Sequence, residues 1–116
     1  MNKIQFTARF RIHAGKLDEA KKIAFECMAI VKEKEEGKGA LQYDWFFSTD
    51  QTECVVRETY ADSNAVLAHM GNLGEPLGQI LAISDFELEI YGDMSEELQK
   101  AVAALDPKVY SFFQGL

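Results

Sequence analysis

Two β-type runs, residues 41–48 and 53–61, flank the polar loop Thr49-Asp50-Gln51-Thr52, and turn-forming residues between two such runs read as a hairpin. With Ser48 opposite Glu53, Phe47 pairs with Cys54, Trp45 with Val56, Tyr43 with Glu58 and Leu41 with Tyr60. Strand alternation puts these eight on one face. The other face carries Gln42, Asp44, Phe46, Val55, Arg57 and Thr59, with Asp44 opposed to Arg57. A slip of one residue would exchange the faces and part that charge pair, so the pattern constrains the register as well as the element.

The first face holds one carboxylate, Glu58, among two tyrosines and a tryptophan. An isolated carboxylate on an apolar face must find hydrogen bonds, take up a proton, or border a space filled by water or ligand. Asp62-Ser63-Asn64 offers a helix N-cap, and Ala65, Val66, His69 and Met70 follow at helical spacing. The helix predicted over 62–72 returns across the sheet and brings His69 towards Glu58.

Residues 3–13 alternate, with Ile4, Phe6, Ala8, Phe10 and Ile12 on one side and Gln5, Thr7, Arg9, Arg11 and His13 on the other. Such a strand has one face in a core and one in a polar setting. A long amphipathic helix is predicted over 16–36, with Leu17, Ala20, Ala24, Cys27, Met28 and Val31 in its stripe and Gly37 ending it. A short helix opened by Pro76 is expected over 77–83, and a fourth strand over 85–93. That strand's Glu87 and Glu89 complement Arg9 and Arg11 if it runs antiparallel beside the first. Ser95 caps a last helix to about residue 105, and the tail after Asp106-Pro107 carries Val109, Tyr110, Phe112, Phe113 and Leu116. So apolar a tail is expected to pack over a groove or onto a partner chain.

The order is βαββαβ, a ferredoxin-like α+β arrangement with an antiparallel sheet and helices on one face. The chain reads as a single domain over 1–116, with its core in 1–93 and a C-terminal helix and tail in 94–116. The uncovered face mixes Arg9, Arg11, Asp44, Arg57, Glu87 and Glu89 with Phe46, Val55 and Tyr91, and a two-fold homodimer through that sheet face would bury it. The net charge of −7 over 116 residues, with no basic cluster, argues against nucleic acid. No apolar run is long enough to span a membrane and no signal peptide is evident, so a cytoplasmic location is expected. Cys27 and Cys54 lack partners at ligand spacing, which argues against zinc.

Four spaced motifs stand out: Glu35-Glu36-Gly37, Leu41-x-Tyr43-x-Trp45, Val56-x-Glu58-x-Tyr60-x-Asp62 with Ala65 and His69, and Ile90-Tyr91-Gly92. Together their spacings resemble those of the antibiotic biosynthesis monooxygenase domain family. The resemblance implies a dimeric α+β barrel whose cavity lies between sheet and helices, over Tyr43, Trp45, Tyr60 and Glu58, with Phe6 and Phe10 beside them. It also implies a monooxygenase that works without cofactor or metal on a quinol-like or phenolic small aromatic molecule. In that chemistry His69 or Glu58 is the base, the tyrosines donate hydrogen bonds and Trp45 stacks. The competing reading is a non-catalytic dimeric binding or stress-response module, in which Glu58, bonded to Tyr43 and His69, only orients a helix. Haem degradation and isomerase activity rank below both, and no histidine in 70–83 follows His69 to serve an iron.

Overall fold

Alternating apolar residues make the N-terminal strand the middle of a sheet, because both of its edges find partners. The computed structural model describes residues 2–116. The elements run β1 (Ile4–Ile12), α1 (Leu17–Lys34), β2 (Ala40–Phe47), β3 (Glu53–Tyr60), α2 (Ser63–Leu73), α3 (Glu75–Ala82), β4 (Ser84–Tyr91), α4 (Glu96–Val102), a 3-10 turn (Ala103–Leu105) and β5 (Lys108–Tyr110). The sheet order is β2-β3-β1-β4-β5. β1 pairs antiparallel with β3, Phe6 opposite Glu58, and with β4, Arg9 opposite Glu87.

The hairpin has the predicted register at Phe47–Cys54, Trp45–Val56, Tyr43–Glu58 and Asp44–Arg57. The Leu41–Tyr60 pairing fails. A bulge between Ala40 and Gln42 puts Ala40 opposite Tyr60 and leaves Leu41 exposed, since an inserted residue has no cross-strand partner. Asp44 faces Arg57 in register but accepts a hydrogen bond from Gln42 Nε2 (3.0 Å). The sheet also departs from the all-antiparallel expectation, because β5 joins β4 in parallel and Tyr110 stacks on Tyr91 at 4.9 Å. Beyond β5 the tail is open: Phe113 is 93% exposed and Leu116 fully so. Leu105 reaches the space between sheet and helices, whereas the residues after it do not line that space.

α1 buries Ala20, Ile23, Cys27 and Val31 against the sheet; Leu17, Ala24 and Met28 of the expected stripe are only half-buried. α2 starts where Asp62 accepts from the Ala65 backbone N–H (2.9 Å), and α4 where Ser95 accepts from that of Leu98 (3.1 Å); both satisfy a donor that the first helical turn leaves free. Gly39 (φ +122°) lets the chain pass close under α2, since a Cβ there would lie 2.8 Å from that of Ala65. The helices and the apolar face of β1, β3 and β4 enclose one core, including Ile4, Phe10, Val56, Val66, Ile80 and Ile90. Among the described residues no helix is long and apolar enough to cross a membrane.

Candidate functional site

Glu58 projects from the middle of β3 into the layer between sheet and helices, where it is 6% exposed. Its Oε1 accepts from the Tyr60 hydroxyl at 2.5 Å and lies 3.5 Å from His69 Nε2. Residues two apart on a strand share a face, which puts the phenol beside the carboxyl. Tyr43 stands opposite Glu58 as the register predicts but does not hydrogen-bond to it; its ring meets the His69 ring edge-on at 5.2 Å. His69 is 4% exposed and presents its other nitrogen, Nδ1, to both oxygens of Glu35, at 2.9 and 3.1 Å. Asn72 Nδ2 donates to the same carboxylate at 3.4 Å.

Burial pushes Glu58 up to about 7, against the lowering effect of the Tyr60 hydrogen bond and with a further rise from Glu35. Burial lowers His69, opposed by the charge and hydrogen bond of Glu35. The shifts bring a raised carboxyl and a lowered imidazole side by side, the kind of perturbed pair found at functional sites. Both phenols are raised, Tyr43 and Tyr60 alike, first by burial and then by Glu58, so both stay protonated at neutral pH, and Tyr60 donates to Glu58. The Cys27 thiol, pushed up to about 11 by burial, is inert as a nucleophile at neutral pH.

Glu58 and His69 border a free space of about 50 Å³ walled by Phe6, Phe10, Tyr43 and Trp45 from the sheet and by Leu73, Ile80 and Leu105 from the far side. Trp45 lies parallel to Phe10 at 6.2 Å. Its indole Nε1 is buried close enough to the Tyr43 hydroxyl to ease ionisation of that group, but without a well-formed hydrogen bond. The space has room for a few waters, so an aromatic ring enters only if the far wall moves. Six of the seven expected site residues meet at this wall; Tyr60, fully buried, stands behind Glu58 and acts through it. A wider groove of about 410 Å³ at Lys3, Tyr91, Tyr110 and Phe112 contains no buried titratable side chain.

Glu35 was not among the expected site residues. Its signal lies in the helix period, for Ile23, Cys27 and Val31 are buried and the next step of four falls on Glu35. The surrounding run Lys32 to Glu36 reads as a solvated helix end, and its other members are exposed.

No protein-family model and no curated protein matches the sequence. Solved structures do match. MupZ from Pseudomonas fluorescens superimposes with a TM-score of 0.86 at 22% identity, over 100% of this chain and 90% of that one. A candidate antibiotic biosynthesis monooxygenase from Caulobacter crescentus gives 0.68 at 23%, over 77% and 87%. SnoaB from Streptomyces nogalater, a cofactor-independent oxygenase, gives 0.66 at 17%, over 82% and 96%. The fold is that of the antibiotic biosynthesis monooxygenases. The likeness to MupZ runs the full length of this chain, so it takes in the C-terminal helix and β5.

Proposed function

We propose that the protein is a cofactor-independent monooxygenase of a quinol-like or phenolic small molecule, working as a homodimer through the open sheet face. The observation that carries the reading is a buried carboxyl poised near neutral pH, 3.5 Å from an imidazole, on the wall of an aromatic cavity. SnoaB, of the same fold, is a cofactor-independent oxygenase. In such a reaction the Glu58–His69 pair takes the proton of the phenolic O–H and the electron pair stays on the substrate. The resulting anion gives an electron to O2, and recombination puts oxygen on the ring carbon. In an anthrone-like substrate the ring CH2 becomes C=O, and in a hydroquinone one ring C–H becomes C–OH as the ring is oxidised to the quinone; either way the substrate supplies all four electrons, one oxygen atom stays in the product and the other leaves as water. A dry, apolar wall strengthens every charge interaction in that step and keeps water from the radical pair. Oxygen uptake with a panel of hydroquinones and anthrone-like phenols, without added flavin or metal, is expected, with a product 14 mass units heavier and labelled from 18O2. No uptake across the panel, with binding of the same compounds intact, would favour the non-catalytic binding module.

A further inference from the structure

We propose that Glu35 is the positioning residue of this site: its carboxylate holds the imidazole with Nδ1–H donating to it, so that the Nε2 lone pair faces Glu58 and the two take up a substrate proton as one unit. The inference deepens the oxygenase reading and depends on it only for where the proton comes from.

An ionised carboxylate accepts hydrogen bonds and donates none. Both oxygens of Glu35 lie against His69 Nδ1, at 2.9 and 3.1 Å, and Asn72 Nδ2 steadies one of them. That contact selects the tautomer with Nδ1 protonated, and a carboxylate behind a histidine raises its basicity at the other nitrogen. Nε2 then meets Glu58 Oε1, which also accepts from Tyr60. The groups facing the cluster come from every element around it: Glu35 and Cys27 from α1 and its end, Tyr43 from β2, Glu58 and Tyr60 from β3, and Asn72 from α2. Among the described residues, the only basic side chain within 4.0 Å of either carboxylate is His69 itself.

Two carboxylates thus share one imidazole out of water. Leaving both ionised around a neutral ring is costly, and a proton on the Glu58–His69 pair relieves it. When the substrate O–H breaks, its electron pair stays on the substrate oxygen and the proton bonds to the pair. An imidazolium formed there sits between two negative charges, and Glu35 supplies the one that the substrate never touches. An exposed ion pair could not do this, because solvent would screen it.

The chain has two histidines, so the test is direct. Long-range 15N–1H spectra of the full chain at pH 8, with His13 assigned by its loss in His13→Gln, should show His69 protonated at Nδ1. In Glu35→Gln the His69 protonation midpoint should fall by at least one pH unit, a tenfold loss of proton affinity. A Glu35 that only accepts the hydrogen bond without a charge, as glutamine also can, predicts no such fall. A proton on Nε2 in the wild type, or an unchanged midpoint in Glu35→Gln, overturns the inference. If Glu35→Gln does not fold, the wild-type tautomer decides alone. None of these spectra involves oxygen or substrate, so they can fail while oxygen uptake stands and hold while it is absent.

Discussion

On the open face of the sheet Arg9 Nε lies 2.6 Å from Glu53 and Arg11 2.9 Å from Glu87, with all four side chains between 30 and 55% exposed. On the covered face Glu58 and Glu35, at 7 and 5%, meet a single imidazole. The open-face pairs resemble stronger interactions by distance, yet in a single chain solvent screening limits such pairs to about 0–1 kcal/mol each. The covered-face contacts between charged groups, at 2.9 and 3.5 Å, are the longer set and have far greater consequences, because water cannot replace a partner that is lost. Distance alone ranks these two sets in the wrong order; burial ranks them correctly.

Substitutions that remove a charge from each face put that ranking to the test. The largest effect is expected at His69. In an active enzyme His69→Gln should lower kcat by about 10²–10⁴-fold, since the lost group carries the proton. His69→Ala should in addition cost about 1–3 kcal/mol of stability by leaving Glu35 buried without its partner, measurable by urea unfolding. A variant with normal kcat would place the chemistry elsewhere.

Next comes the pH dependence of stability. The folded chain holds the Glu58 proton more tightly than the unfolded chain, in which the carboxyl has its ordinary value of 4.5. Stability from this group is therefore complete below about 4.5 and is lost as pH rises through about 7. With the carboxyl raised from 4.5 to about 7, the full loss is on the order of 3 kcal/mol. His69 acts in the opposite sense: its lowered value makes the folded state lose stability as pH falls below 6.5. Glu58→Gln removes only the first contribution. Its melting temperature should gain on the wild type between pH 5 and 8, by about 10 °C at the top of the range; a pH-independent difference would mean that Glu58 is not held protonated.

The smallest effect belongs to the open face. Arg57→Glu places two acids opposite each other at Asp44 and should cost up to about 1 kcal/mol. It should also weaken the proposed dimer, which sedimentation across a concentration series would register. A monomeric wild type at micromolar concentration would remove the dimer, and an unchanged melting temperature would show that this opposed pair contributes nothing.

The parts of the fold set by period were legible. Alternation in β1, β2, β3 and β4 gave the faces and most of the register, and Glu58 stood out because a carboxylate conflicts with its apolar neighbours. Position within a helix end was harder to read: Glu35 carries the period of the buried stripe but the composition of a solvated run. β5 left no mark of its own, because three residues after a proline carry no usable period and a parallel pairing with β4 is decided by packing distant in sequence. The bulge at Leu41 was hidden for a related reason, since alternation alone cannot report a residue added on one strand only.

The central place of β1 also orders the events of folding. Its two neighbours are supplied by residues 53–60 and 84–91, so the first strand made is the last to be completed, and closing those loops slows the sheet. The β2–β3 hairpin needs only a short loop and can form long before. Glu35, Tyr43, Glu58, Tyr60 and His69 all belong to the stretch from residue 35 to 69, whereas Ile80, Phe86, Leu88 and Leu105, which wall off the cavity, come later. The polar cluster is thus contained in one stretch of sequence, while part of the apolar wall that keeps water from its carboxylates is supplied by the second half of the chain.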